Sequence, residues 1–182
     1  MTLVRILEMK TDWNKLDKQL SEEIQSYGTC RSKKAFEMIL GDEWIEDAVE
    51  KAINYNGHSS ELAMNCLRHI SSTKAAKIAY GIYKGENKGE MNSMAVWLIK
   101  QLAVKESYEW IEEFLNDKKV IGWGIGVLDQ LLWCEIIDYE DEKKRVDFLL
   151  ELTLKNSNGE LKENVDFIRN YLNEREKTTA NN

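Results

Sequence analysis

The sequence predicts an all-α protein, built as a right-handed α-solenoid of antiparallel helix pairs with nine to ten helices. Three observations carry this expectation. The 182 residues contain no proline, so nowhere is a helix broken by a missing backbone N–H. Leu, Glu, Lys, Ala and Met, all good helix formers, dominate over β-branched runs. Apolar residues recur at i, i+3, i+4 and i+7 along nearly the whole chain.

Taken in order, Met1–Met9 reads as a short helix or an extended arm. Thr11-Asp12 offers an N-cap to a helix carrying Trp13, Leu16, Leu20, Ile24 and Tyr27, which Gly28 closes in a left-handed cap. A helix over Arg31–Leu40 ends at Gly41. Trp44, Ile45, Ala48, Val49, Ala52 and Ile53 then form one apolar stripe, and Gly57 terminates it. Ser59 or Ser60 is placed to cap a helix reaching Ile70, and Ser72 or Thr73 the next, which runs to Tyr83. After a polar turn over Gly85–Gly89 come helices at Met91–Leu102 and Lys105–Leu115. The stretch Gly122–Trp133 follows, then a helix capped by Asp138, whose early acids and later bases suit the helix dipole. Asn156–Gly159 is a loop, and a last helix spans Leu161 to about Leu172. One domain over 1–173 is expected, with capping helices in 1–41, helix-pair repeats in 42–173 and a frayed polar tail in 174–182.

The repeat emerges when Ala63, Ala95, Gly124 and Asn164 share a column. Three, four and seven positions further on stand Cys66/Leu67/Ile70, Leu98/Ile99/Leu102, Val127/Leu128/Leu131 and Phe167/Ile168/Tyr171. Each interval holds one further amphipathic helix, the pattern of stacked helix pairs. Helix pairs of this length, small residues where the second helix packs, and the run Trp123-Gly124-Ile125-Gly126-Val127-Leu128 resemble bacterial HEAT-like repeat proteins, over roughly Asp42–Asn173. That group is functionally mixed. The resemblance extends to helical-repeat immunity proteins of bacterial toxin systems, to alkylpurine DNA glycosylases, to phycobilin lyases and to plain scaffolds.

Composition narrows the choice. A formal net charge of −7 opposes a surface built to neutralise phosphates and suits a basic protein partner. Cys30, Cys66 and Cys134 are odd in number and include no CxxC pair, which argues against a disulfide framework. With no charged-then-apolar leader and no apolar run of ~20 residues, a reducing cytoplasm is the expected compartment.

Beside the apolar columns, the second helices carry three polar ones: Asn65/Trp97/Gly126/Asp166, Arg68/Lys100/Asp129/Arg169 and His69/Gln101/Gln130/Asn170. In a solenoid these line the concave side as one exposed ridge. Trp133 falls two positions past its apolar column. A partner-binding surface is therefore expected from Asn65, Arg68, His69, Trp97, Lys100, Gln101, Asp129, Gln130 and Trp133, with the two Trp residues as hot spots. Trp44, Trp110 and Trp123 are expected in the core, and Gly122, Gly124 and Gly126 where another helix approaches closely. Cys66 and His69 stand i, i+3 but lack the second pair a structural zinc site requires. The Gly-x-Gly-x-Gly spacing lacks the flanking strand and the Lys-Ser/Thr of a phosphate loop. The chain is thus read as a non-enzymatic immunity protein that blocks a toxin domain. A generic scaffold, or a glycosylase using Asp129 between Trp97 and Trp133, is the alternative. No cofactor, metal, nucleic acid, membrane or small-molecule partner is expected.

Overall fold

The computed structural model describes residues 12–21, 30–54, 57–85 and 89–180. The arm expected at 1–9, the helix residues Ile24 and Tyr27, the cap at Gly28 and the last two residues of the tail lie outside them. The described chain is all-helical: α1 (Trp13–Leu20), α2 (Cys30–Leu40), α3 (Asp42–Ile53), α4 (His58–Ile70), α5 (Thr73–Lys84), α6 (Glu90–Leu102), a 3-10 helix (Lys105–Trp110), α7 (Ile111–Asn116), α8 (Ile121–Trp133), α9 (Tyr139–Asn156) and α10 (Lys162–Ala180). No helix among these residues is long and apolar enough to cross a membrane.

Local chemistry sets most boundaries. Asp12 accepts from the Lys15 amide, Ser72 from Ala75, and Asp138 from both Glu140 and Asp141, each satisfying orphan N–H groups of a first turn. The start of α4 differs from expectation. It begins at His58 after Gly57, whose φ of 90° favours glycine, and Ser60 is buried inside the helix rather than capping it. The single helix expected over Lys105–Leu115 is split. Ser107 donates its hydroxyl to the Val104 carbonyl at 2.6 Å, and its amide bonds the same oxygen, tightening this turn to i→i+3. The tail also differs, because α10 continues to Ala180. Arg175 donates to the carbonyls of Leu132 and Trp133, and Glu176 pairs with Lys143, so the expected fraying point is anchored to α8 and α9.

Packing follows a regular neighbour pattern. Within each sequential pair, α3 meets α4, α5 meets α6, α7 meets α8, and α9 meets α10. Across pairs, α4, α6, α8 and α10 form one row, while α3 touches α5 and α7 touches α9. The core threads between the rows, through Ile45, Leu67, Leu98, Ile99, Ile111, Phe114 and Leu128, all fully buried. Aromatic contacts stitch α5 to the next unit: Tyr80 stacks on Trp110 at 4.3 Å, and Tyr83 meets Phe114 edge-on at 5.0 Å. Burial first, and then hydrogen bonding to Glu113, pushes the Tyr80 phenol up to about 12. The α1 helix lies on α4, with Trp13 buried 5.4 Å from Trp44.

The C-terminal turns of α4, α6 and α8 share one device. Each places a non-glycine residue in the left-handed region: Ser71 (φ 48°), Ala103 (φ 46°) and Glu135 (φ 54°). Ser72 N–H then reaches back to the Leu67 carbonyl, and Ile136 N–H to Leu131, the longer bond of a Schellman cap. The spacing from 71 to 103 equals that from 103 to 135. Counted from these caps rather than from the small residues, Leu131 falls level with Leu67 and Ile99, one turn beyond Leu128. Both Leu128 and Leu131 are fully buried, so the apolar face stands. On that count Asp129 falls level with Trp97, and Trp133 with His69 and Gln101.

Candidate interaction surface

The row α4–α6–α8–α10 carries all nine residues expected to bind a partner, in three different environments. Arg68 and Trp133 are exposed. Asn65, Trp97, Lys100, Gln101, Asp129 and Gln130 are half-buried, and Trp97 packs on the core. His69 is a correction: only 7% exposed, it faces α1, with Nε2 3.3 Å from Asp17 Oδ1. The α1 helix covers this position, which the apolar stripe of α4 by itself leaves open. Burial lowers the His69 pKa, opposed by the nearby Asp17 carboxylate. Cys66, one turn earlier, is fully buried, and desolvation pushes its thiol up to about 12. Among the described residues, no group of three His, Cys, Asp or Glu side chains is arranged to hold a metal ion.

Two further corrections concern aromatics. Trp123, expected in the core, is 37% exposed, and Phe167, expected in an apolar column, is 55% exposed. Trp44 and Trp110 do pack against the core as half-buried residues. The reason for Trp123 lies in its neighbours. Gly124 faces inward against Phe114 and Leu115, and the adjacent position therefore turns outward. There the Lys100 ammonium sits 5.9 Å from the Trp123 ring, while its aliphatic stem passes over Gly126. Of the three glycines, Gly124 admits a neighbouring helix, Gly126 admits the Lys100 side chain, and Gly122 faces open space.

The centre of the surface is an aromatic group contributed by α8 and α10. Trp133, 56% exposed, meets Tyr171 edge-on at 5.5 Å, and Phe167 meets the same ring at 5.6 Å. Tyr171 itself is buried, and its hydroxyl donates to Asp129 Oδ1 at 3.2 Å. Burial raises the Asp129 pKa, while the Tyr171 hydroxyl and the Lys100 charge oppose that shift. Desolvation likewise raises Tyr171, with the Asp129 charge adding to it. Arg175 spans the group, its guanidinium 5.8 Å from the Trp133 ring and 5.4 Å from Tyr171, while it donates to the last carbonyls of α8. A cation at that helix end also complements the dipole. Gln130 donates to the exposed Cys134 Sγ at 3.0 Å along the same helix edge.

This arrangement presents two large apolar side chains to solvent on a base locked by hydrogen bonds and cation–π contacts. Searches against family models, curated proteins and solved structures return no match to this chain. The assignment of the surface therefore rests on its own chemistry. Phe167, Tyr171 and Arg175 escaped the sequence reading. The sequence pattern places Tyr171 in an apolar column and Arg175 in the polar tail. Only the approach of α10 to α8 joins them to Asp129 and Trp133, some forty positions earlier.

Proposed function

We propose that this protein is a non-enzymatic protein-binding module: a right-handed α-solenoid of antiparallel, HEAT-like helix pairs that docks a partner on the α4–α6–α8–α10 side. In its most concrete form it is a cytoplasmic immunity protein that covers and neutralises a basic toxin domain. The two rows of helices and the evenly spaced left-handed residues at 71, 103 and 135 support the repeat architecture. The observation that carries the binding role is Trp133, more than half exposed yet held by Tyr171 and Arg175. An exposed Trp on a rigid base loses little conformational freedom on binding and desolvates a large area, the usual composition of a hot spot. The net charge of −7 steers a cationic partner towards the molecule. Asp129, the carboxylate that a glycosylase would need free, is engaged by Tyr171, which gives it a positioning role in the surface.

The test is affinity capture from the native host with wild type and with Trp133→Ala and Phe167→Ala variants whose circular dichroism matches wild type. One basic protein retained by wild type, and weakened by roughly 30-fold or more in the Trp133 variant, is the expected outcome. Equal retention by both variants refutes this surface as the binding site.

A further inference from the structure

A second surface, unlike the first in charge, lies between α2 and the C-terminal turns of α4 and α6. A cavity of about 790 Å³ there is bordered, among the described residues, by Lys33, Lys34, Lys74, Lys77 and Lys105 against Glu37 and Glu106. It runs past Ser71, Ala103 and Ile136, residues from three successive helix ends, so it is elongated along the repeat direction. Ala103 and Ile136 are half-buried on its floor, above buried Ile70 and Val104. Five lysines gathered in one groove are unexpected in a chain whose acids outnumber its bases, 32 to 25.

The internal partners of these lysines are few. Lys33 donates to the Ser71 hydroxyl at 3.3 Å, and Lys74 pairs with Asp42. Lys34, Lys77 and Lys105 are exposed, and none forms an ion pair with a described residue. Glu37 shows how the groove holds a carboxylate: it accepts from the Ser72 hydroxyl at 2.5 Å and from the Lys74 amide at 3.2 Å, at the first turn of α5. These three ammonium groups, with no ion-pair partner among the described residues, remain for something else.

We propose that this groove docks an extended acidic segment of a partner protein, carboxylates against Lys34, Lys77 and Lys105 and small apolar side chains on Ala103 and Ile136. Charge complementarity identifies the occupant, and the lining narrows it. Among the described residues no aromatic side chain borders the cavity for a nucleobase to stack on. Among the described residues no arginine fork borders the cavity for bidentate phosphate recognition, and lysines act there as flexible point charges over an apolar floor. Length across three helix ends suits an extended chain better than a compact anion. This site is independent of the aromatic surface and stands or falls separately from it.

Fluorescence anisotropy of a labelled peptide of alternating Glu and Leu, titrated with the full chain, tests the proposal. The net field of the molecule repels such a probe, so binding must come from a local concentration of positive charge. Binding should be measurable at ~0.05 M salt and fade towards ~0.5 M as screening shortens. In the triple variant Lys34→Glu, Lys77→Glu, Lys105→Glu, with unchanged circular dichroism, affinity should fall roughly tenfold or more. Should that variant misfold, the corresponding triple Gln variant carries the same test with a smaller loss. The proposal is overturned if wild type does not bind the peptide, or if the folded variant binds it equally well. It is also overturned if tripolyphosphate or a single-stranded oligonucleotide of matched charge competes as well as the unlabelled peptide, which marks a general polyanion surface.

Discussion

Replacing Gly124 by Ala should destabilise the protein, although alanine is the better helix former. A Cβ added at Gly124 would lie 2.8 Å from Phe114 Cβ, 3.2 Å from the Phe114 carbonyl carbon and 3.3 Å from Leu115 Cδ2. Carbon atoms in contact prefer about 3.5–4.0 Å. Phe114 and Leu115 are fully buried, and a Cβ or a carbonyl carbon cannot rotate aside, so α7 and α8 must part by roughly half an ångström or more. Overpacking of this kind costs about 1–3 kcal/mol, and the rigidity of the contacts places it in the upper half. The helix-propensity gain offsets about 1 kcal/mol. The net loss is ~1–2 kcal/mol, a fall of several degrees in Tm for a chain of this length. Gly81 in α5 is the internal control, because a Cβ there meets nothing within 4 Å. Gly81→Ala should therefore stabilise by ~0.5–1 kcal/mol. Urea unfolding followed by circular dichroism reads both midpoints. Gly124→Ala at or above wild-type stability would refute the close approach of α7 and α8.

Acidification should weaken the fold through His69. Its folded pKa lies below the ordinary 6.5 because of burial, so the unfolded chain binds the extra proton first, and stability falls as pH drops from ~6.5 through the folded value. His69→Asn should flatten the urea midpoint over that window, and an unchanged slope would show that His69 takes up its proton equally well in the folded protein. Thiol labelling of the native protein followed by peptide mass mapping should modify Cys134, which is exposed, while sparing Cys66, which is buried with its thiol pushed up to about 12. Labelling of Cys66 at the rate of Cys134 would mean that α4 opens far more readily than its packing implies. For Trp133→Ala, stability measured alone should move by only ~1 kcal/mol or less, since the ring is largely exposed, so that binding loss separates from unfolding.

Helix existence and most helix ends were legible because their causes are local. Asp12, Ser72 and Asp138 cap where their short polar side chains predict, and Gly41 and Gly57 interrupt where their positive φ requires glycine. The surface was legible only in outline. Trp133 and Arg68 are exposed as expected, but His69 is covered by α1 and Phe167 is not covered by anything described. A periodic stripe states which residues share a face, not how far the neighbouring helix reaches across it. The difference of one turn between the two counts in the third unit has the same origin. Leu128 and Leu131 are both apolar and both buried, so the pattern admits either register, and only the count from the left-handed cap at Glu135 puts Leu131 level with Leu67 and Ile99.

The sequence by itself determined an all-helical chain, its punctuation and its apolar faces, since these follow from backbone propensity, capping and a 3.6-residue period acting within a few residues. Tertiary structure alone decided which aromatics face water and which charges meet. Asp129 with Tyr171, Arg175 with Trp133, and the lysines of α2 with those of α5 are joined across some forty positions of chain, where only the packing of one helix on another sets the distance.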